Sequence, residues 1–329
     1  MVKRKCAKST ITEIAKRAKV SVATVSRAFS GHPYVKDELR GKIFKLAREL
    51  DYTPKASGSR EQSTIGVIIN ASKRKKLSMG IFESTMLKEL INEIYYRNLN
   101  LEIITEVNHC DLEKKFIKAA IILGEHKEEA GSFCSKWPGT SFITVNNYIE
   151  GCYLVASDHK DSARQAIEYL ISKGHKKIGF LGSLLESWGV KQRFEGYKEA
   201  LAENSIKSSR DYVKFTNGSE AVESILKIAR FSPSAILVCG ENMSARANYA
   251  LYLAGNKVPD DISIITYEDS NVSKYIFPPN TTMCQDFAHL ASLAVDRAVE
   301  IINGNPSDDK NIFIKDQLIE RESVKDLTF

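Results

Sequence analysis

Beyond residue 64, short runs of β-branched and aliphatic residues alternate with helical stretches, a pattern that few folds accommodate. The runs are Ile65 to Ile69, Leu101 to Thr105, Ala119 to Leu123, Phe142 to Val145, Lys177 to Leu181, Ala235 to Val238 and Ile262 to Ile265. Strands alternating with helices imply parallel sheets covered on both faces. At 329 residues the chain is too long for one ordinary core, so a small unit plus a larger one split into two lobes is expected. Ligands of open α/β sheets bind beyond the carboxyl ends of strands. A cleft between two such lobes is the natural place for a small molecule.

The first 60 residues are built differently. Residues 10 to 31 read as two short helices joined by a tight turn. Thr10 and Glu13 have the spacing of a capping box, which predicts reciprocal side-chain bonds at the first helix start. Ile11, Ile14, Ala15 and Ala18 then share one face of that helix. After Val20, Ser21 can cap a second helix in which Val25 and Ala28 point inward, leaving Val22, Ala23, Thr24, Ser26 and Arg27 outward. Small side chains permit close approach to the major groove, hydroxyls bond phosphates, and an Arg can bond guanine O6 and N7 as a pair. A surface helix without special purpose is the alternative, and charge decides between them.

Residues 1 to 60 hold 15 Lys and Arg against 5 Asp and Glu, whereas the remainder holds 32 against 36. A whole-chain charge of +6 would be unremarkable, but basic character confined to a small helical unit is the footprint of phosphate binding. Lys3, Arg4, Lys5 and Lys8 form a basic arm ahead of the first cap. A third helix is expected from about Lys36 to Leu50, with Leu39, Ile43, Leu46, Ala47 and Leu50 closing a three-helix core before Pro54. Residues 55 to 64 are small and polar, the composition of a flexible connector. The expected division is therefore 1–53 for the helical head, 54–64 for the connector and 65–329 for the two-lobed core.

Several function classes find no support. No apolar run approaches the roughly 20 residues of a membrane span. The basic amino terminus lacks the apolar stretch of a signal peptide, so a cytoplasmic protein is expected. Six scattered cysteines form no C-x-x-C pair and read as reduced thiols, and the six histidines show no metal-ligand spacing. With no Gly-rich phosphate loop and no G-x-S-x-G elbow, neither a cofactor, a metal site nor a catalytic residue is expected.

At this point the chain resembles the LacI/GalR family of bacterial transcription regulators, named for the lactose and galactose repressors. Val20-Ser-Val-Ala-Thr-Val-Ser-Arg27 is nearly the family's recognition-helix motif, and Leu46-Ala-Arg-Glu-Leu-Asp-Tyr-Thr-Pro54 resembles its third-helix ending. In the core, Ser157-Asp158, Tyr169-Leu-Ile-Ser-Lys-Gly-His175-Lys-Lys-Ile-Gly-Phe-Leu-Gly182 and Arg193-Phe-Glu-Gly-Tyr197 follow the family in order. So do Val258-Pro-Asp-Asp-Ile-Ser-Ile-Ile-Thr-Tyr267 and Pro278-Pro-Asn-Thr-Thr282. The resemblance implies a helix-turn-helix head on a periplasmic-binding-protein-like α/β core. It implies a homodimer whose affinity for operator DNA changes when a small molecule, often a sugar, enters the cleft. Two recognition helices related by a twofold axis would read a pseudo-palindrome, which one short helix cannot do.

By that resemblance Val22, Ala23 and Arg27 read bases while Ser21, Thr24 and Ser26 hold phosphates, and Thr10 and Lys55 complete the DNA-binding set. For the effector the resemblance points to Phe82, Asp158, Trp188, Arg193, Glu241 and Glu268. A carboxylate accepting from hydroxyls and a guanidinium donating to them suit a polyol, although Asp158 and Arg193 could instead form a salt bridge between lobes. Trp188 has two readings, a platform for a sugar face or packing beneath its own loop, and Phe82 is either a cleft aromatic or a core residue.

Three departures from the family matter. Where the family places alanines, an Arg and a Leu that wedges into the minor groove, this chain has Lys55-Ala-Ser-Gly-Ser-Arg-Glu61. An apolar wedge is how such segments kink DNA, and Glu61 beside phosphates cannot serve. Ser57-Gly-Ser59 also opposes helix formation, so a weak or absent hinge helix and little DNA bending are expected. In the cleft, Glu241 and Glu268 stand where the family has other residues, and together with Asp158 they would favour a donor-rich, amino-bearing ligand or leave one carboxylate protonated. Lys73-Arg-Lys-Lys76, after the first core strand, reads as a solvated charge run. Two rivals share parts of this sequence: a solute-binding protein for transport, which has no use for a basic helical head, and a cleft enzyme working through Asp158, Glu241 and Glu268.

Overall fold

Helices α1 (Ile11–Ala18), α2 (Val22–Phe29) and α3 (Asp37–Glu49) lead the described chain. The computed structural model describes residues 10–29, 34–50, 52, 63–69, 80–105, 117–124, 137, 139–183, 187–217, 219–240, 243–267 and 272–328. The side chains of Ile14, Val25, Ala28, Ile43 and Ala47 are fully buried where the three helices meet, and Phe29 stacks on Phe44 with ring centroids 5.6 Å apart. Helices this short are marginal alone. Each buried aliphatic side chain contributes about 1.5–3 kcal/mol, so this shared core is what holds them.

The predicted capping box does not form. Thr10 is the N-cap residue in extended conformation, but its side chain makes no cap bond, and Glu13 pairs instead with Arg17 at 3.1 Å. Lys19 ends α1 in the left-handed region at φ 58° and turns the chain toward α2. There the expected cap is present: Thr24 N donates to Ser21 Oγ at 3.0 Å, and the two hydroxyls lie 2.8 Å apart.

The core comprises β1 (Thr64–Ile69), α4 (Ile81–Tyr96), β2 (Asn100–Ile104), β3 (Ala119–Leu123), β4 (Ser141–Val145), β5 (Tyr153–Ser157), α5 (His159–Ser172), β6 (Ile178–Gly182), α6 (Trp188–Glu203), β7 (Val213–Phe215), α7 (Ala221–Ala229) and β8 (Ala235–Cys239). It continues with α8 (Met243–Leu253), β9 (Ser263–Tyr267), α9 (Val272–Tyr275), β10 (Thr281–Cys284), α10 (Phe287–Ile302), β11 (Asn311–Ile314) and β12 (Gln317–Ile319). Two six-stranded sheets result, ordered β2-β1-β3-β4-β5-β11 and β7-β6-β8-β9-β10-β12. All neighbours are parallel except β10 with β12. The seven strands expected from the sequence are present with ends shifted by a residue or two, and β5, β7, β10, β11 and β12 add to them.

The chain passes between lobes three times. It leaves the first sheet at Ser157 and enters α5, whose Ala163, Ala166, Ile167 and Leu170 pack into the second lobe. It returns after β10 through α10, whose Leu290, Ala294 and Val295 fill the first lobe. It crosses last between β11 and β12. Side chains tie these passages together: Gln285 Nε2 donates to Ser157 Oγ at 2.9 Å, and Ser162 Oγ donates to the buried Asp316 carboxylate at 2.7 Å. Within the second lobe α5 and α6 touch at Gly196, where a Cβ would lie 2.1 Å from the Lys160 carbonyl oxygen. The neighbouring Tyr197 is fully buried and donates its hydroxyl to Ile178 O at 2.9 Å.

Candidate functional site

On the head, α2 turns Val25 and Ala28 inward and leaves Val22, Ala23, Ser26 and Arg27 exposed. Ser21 is exposed as well, while Thr24 is half-buried against it. Thr10 is exposed at the start of α1. Residues 53–62, which include Lys55 and most of the connector, lie outside the described residues, as does the arm from Lys3 to Lys8; the connector's last residue, Thr64, already belongs to β1. What α2 presents is thus a shallow face of small and hydroxyl groups with a guanidinium near its end. Such a face can sit closely in a groove and still donate to base edges.

The second site is a cleft of about 460 Å³ between the two sheets. The first lobe contributes Phe82, Glu83, Gly124, Asn146 and Asn147, and the second contributes Ser183, Arg193, Thr216, Asn217, Gly240, Arg246 and Tyr267, with His159 and Gln285 from the crossings. Gly124, Asn146, Asn147, His159, Ser183, Thr216, Asn217, Gly240 and Gln285 directly follow the carboxyl end of a strand, where a parallel sheet releases its backbone into loops. Five buried polar atoms of residues lining this cleft have no hydrogen-bond partner among the described residues: Glu83 Oε2, Asn146 Nδ2, Arg193 Nε, Thr216 Oγ1 and Tyr267 Oη. Buried polar groups are ordinarily satisfied, so donors and acceptors left together in a cleft mark a place for a polar ligand.

Arg193 is held from two sides. Its guanidinium lies over the Tyr267 ring, 4.2 Å from the centroid, and Nη2 donates to His159 Nδ1 at 3.2 Å. An arginine cannot accept a hydrogen bond, so His159 must be neutral at Nδ1. Burial, reinforced by the Arg193 charge, holds the His159 pKa well below its ordinary value. The phenol of Tyr267 is pushed well above its usual range by burial, so the cation faces a neutral ring. Asn146 adopts the left-handed region at φ 54° and accepts from Ser157 N through Oδ1 at 2.7 Å, which leaves its amide nitrogen for the cleft.

Of the effector residues expected from the sequence, Phe82 and Arg193 line the cleft. Asp158 does not: it is the N-cap of α5, its carboxylate accepting from Asp161 N at 3.0 Å. A residue that starts a helix immediately after a strand is committed to the first-turn amides before any ligand arrives. Trp188 is absent from the lining and packs instead against Tyr148, His159 and Phe313. Glu241 and Glu268 lie outside the described residues, as do Lys73 to Lys76. The acidic trio thus loses Asp158, and the described charged lining is Glu83 with Arg193 and Arg246. Asn146, Asn147, His159, Thr216 and Gln285 were not anticipated, although Asn146-Asn147 directly follows a predicted strand and could have been found from that position alone.

Comparison with known proteins agrees with this architecture. Residues 10–55 match the model for "Bacterial regulatory proteins, lacI family", and residues 167–324 match that for "Periplasmic binding protein-like domain". The chain belongs to the LacI family of bacterial regulatory proteins. This LacI-family chain is 29% identical to the "Probable HTH-type transcriptional repressor ExuR" of Bacillus subtilis (strain 168), the alignment covering 97% of this chain and 99% of that one. It is 27% identical to the ribose operon repressor of Haemophilus influenzae over 97% of this chain and 99% of the relative. Among solved structures, a Lac repressor dimer bound to operator and the anti-inducer ONPF superposes with a TM-score of 0.70 at 21% identity, covering 97% of this chain and 100% of that one. A CelR–cellobiose complex gives a TM-score of 0.69 at 20% identity over 96% of this chain and 99% of that one. These likenesses establish that the LacI-family fold runs through head and both lobes.

Proposed function

We propose that this protein is a homodimeric transcriptional repressor whose affinity for operator DNA is set by a sugar or sugar derivative held between its lobes. The division of the chain follows: residues 1–53 bind DNA, 54–64 connect, and 65–329 sense the effector and dimerise. The observation that carries the reading is the exposed face of α2, formed by Val22, Ala23, Ser26 and Arg27, on a head whose net positive charge exceeds that of the whole chain. Relatives over nearly the whole length are named as repressors, and one superposable structure is titled as a dimer on its operator.

In this reading Val22, Ala23 and Arg27 meet base edges, and Ser21, Thr24, Ser26, Thr10 and Lys55 meet phosphates. Phe82, Arg193, Asn146 and Thr216 meet the effector, with Glu241 and Glu268 still assigned to it from the sequence. A polyol supplies both the donors that Glu83 needs and the acceptors that Asn146 and Arg193 need. The effector acts by favouring one relative arrangement of the lobes, since only a difference in affinity between states shifts an equilibrium. Exposed Ile91, Tyr95 and Tyr96 on α4 and Tyr249, Tyr252 and Leu253 on α8 are the apolar surfaces that a second copy would cover. No helix among the described residues is long and apolar enough to cross a membrane. A repressor acting on operator DNA works where that DNA is, so this reading puts the protein in the cytoplasm.

The deciding experiment is fluorescence anisotropy of the purified chain on duplexes taken from beside its own gene. Binding should weaken linearly in log–log form as salt rises, and Arg27→Ala should cost about 1–3 kcal/mol of discrimination between duplexes. Absence of any salt-sensitive preference, with Arg27→Ala inert, overturns the assignment. The transport and enzyme alternatives are less well supported: the basic head has no part in either, and the acidic constellation an enzyme would need has lost Asp158 to a helix cap.

A further inference from the structure

His159 joins two things that the effector reading leaves separate. On one side its Nδ1 accepts from Arg193 Nη2 at 3.2 Å. On the other its ring meets Trp188 edge-on, with centroids 5.5 Å apart and planes inclined by 60°. The ring fits there because residue 189 has no side chain: a Cβ on Gly189 would lie 3.1 Å from both Cδ2 and Nε2 of His159. His159 is itself the first residue of α5, at the first passage between lobes, and is buried to 2% exposure.

Trp188 belongs to the second lobe, at the start of α6, yet two of its ring partners belong to the first. It lies 6.5 Å from Phe313 on β11 at an interplanar angle of 25°, and 6.5 Å from Tyr148, beyond β4, at 32°. Phe313 and Tyr148 are about half exposed, at 50% and 49%, so this contact is at the surface and free to part. Any rotation of one lobe against the other must move Trp188 relative to these two rings. Arg193 is carried by the same helix as Trp188, five positions on, and faces the cleft.

We propose that His159 is a positioning residue that ties the ligand-facing Arg193 to the Trp188 contact with Tyr148 and Phe313, so that a change at the cleft is felt at the junction of the lobes. The inference rests on the cleft being the effector site. Arg193 alone could hold a ligand without reporting it; with His159 between them, a shift of the guanidinium displaces a ring that has no slack, because Gly189 closes its other side. Neither the acceptor nor the ring suffices alone, since each serves a different neighbour.

Two substitutions separate the functions of His159. His159→Phe keeps a ring against Trp188 and removes the acceptor together with the bond to the Asn146 backbone, whereas His159→Asn keeps an acceptor near the place of Nδ1 and removes the ring. The chain has two tryptophans, so Trp137→Phe leaves Trp188 as the sole reporter. Acrylamide quenching of its fluorescence, in the full chain without ligand, then reads the exposure of the lobe contact. With His159 present, Arg193→Ala should raise the quenching constant roughly twofold; with Phe or Asn at 159, the same substitution should change it little, the mark of an interaction routed through that residue. Circular dichroism on each variant checks the fold, and either of the two 159 variants alone suffices to close the cycle. An equal increment whatever stands at 159, or none with His159 present, overturns the proposal. The effector reading is tested separately, by whether ribose, cellobiose or glucose 6-phosphate raises the melting temperature of the unsubstituted chain.

Discussion

Arg193 stacks on Tyr267 with its Cζ 4.2 Å from the ring centroid, so a cation in the second lobe is fixed in orientation before any ligand arrives. A planar guanidinium is required for that stack and for a two-pronged grip, and an ammonium offers neither. Arg193→Lys should therefore weaken binding of the sugar found by thermal-shift screening by about 2 kcal/mol. Calorimetric titration measures it, and full retention of affinity would remove Arg193 from the site.

Ser21 caps α2 through its hydroxyl, and that helix carries the DNA-facing side chains. Ser21→Ala should cost about 1 kcal/mol locally, seen as roughly fivefold faster hydrogen exchange of the α2 amides, with Ser21→Asp restoring protection. Ser21→Asp should nonetheless bind duplex poorly, because it places a negative charge against phosphates.

The connector holds Ser57-Gly-Ser59 and Glu61 where an apolar wedge would be needed to kink a duplex. Phased-bend electrophoresis on the cognate duplex should show little curvature. A strong kink would mean that residues 54–64 order into a wedge by another route.

Gly196 sits where α5 and α6 make contact, with no room for a methyl group beside the Lys160 carbonyl. Gly196→Ala should destabilise the chain by about 3 kcal/mol or more, since backbone rather than a yielding side chain stands in the way. Urea unfolding reads the loss directly.

Asp316, buried at the last passage between lobes, has its carboxyl pKa raised by burial, with the Arg193 charge and bonds from Ser157 and Ser162 opposing. The folded chain therefore keeps a proton that the unfolded chain has already released. Its contribution to stability is full below the unfolded value and is lost as pH rises through the folded one. Asp316→Asn should remove that loss, so that its stability relative to the parent chain rises as pH climbs through the range in which the buried carboxyl ionises and then levels off. Urea midpoints across that range test it, and a difference independent of pH would refute it.

The fold was legible wherever burial is complete. The five-residue apolar runs at β3, β6 and β8 are buried throughout and stand out in the sequence. The strands that escaped notice are mostly short and partly exposed: Val213-Lys-Phe215 and Gln317-Leu-Ile319 lie at sheet edges, where a side chain has no need to be apolar. In the head, Phe44 was overlooked because helical spacing selected Ile43 beside it, whereas both are buried when two other helices close over α3. At the cleft, Arg193 was found from its motif and Phe82 from its position. The resemblance assigns Asp158 to the effector, but the residue opens α5 and its carboxylate accepts from Asp161 N. His159 and Thr216 could not be picked out, since their importance comes from what the second lobe and the crossings bring alongside them.

Strands β11 and β12 lie two residues apart in sequence yet complete opposite sheets, one at the edge beside β5 and the other beside β10. The C-terminal segment thus works as a stitch. Shortening the chain to end before Asn311 would unpick a border from both halves at once, so neither lobe can be obtained as a self-contained fragment by trimming from that side.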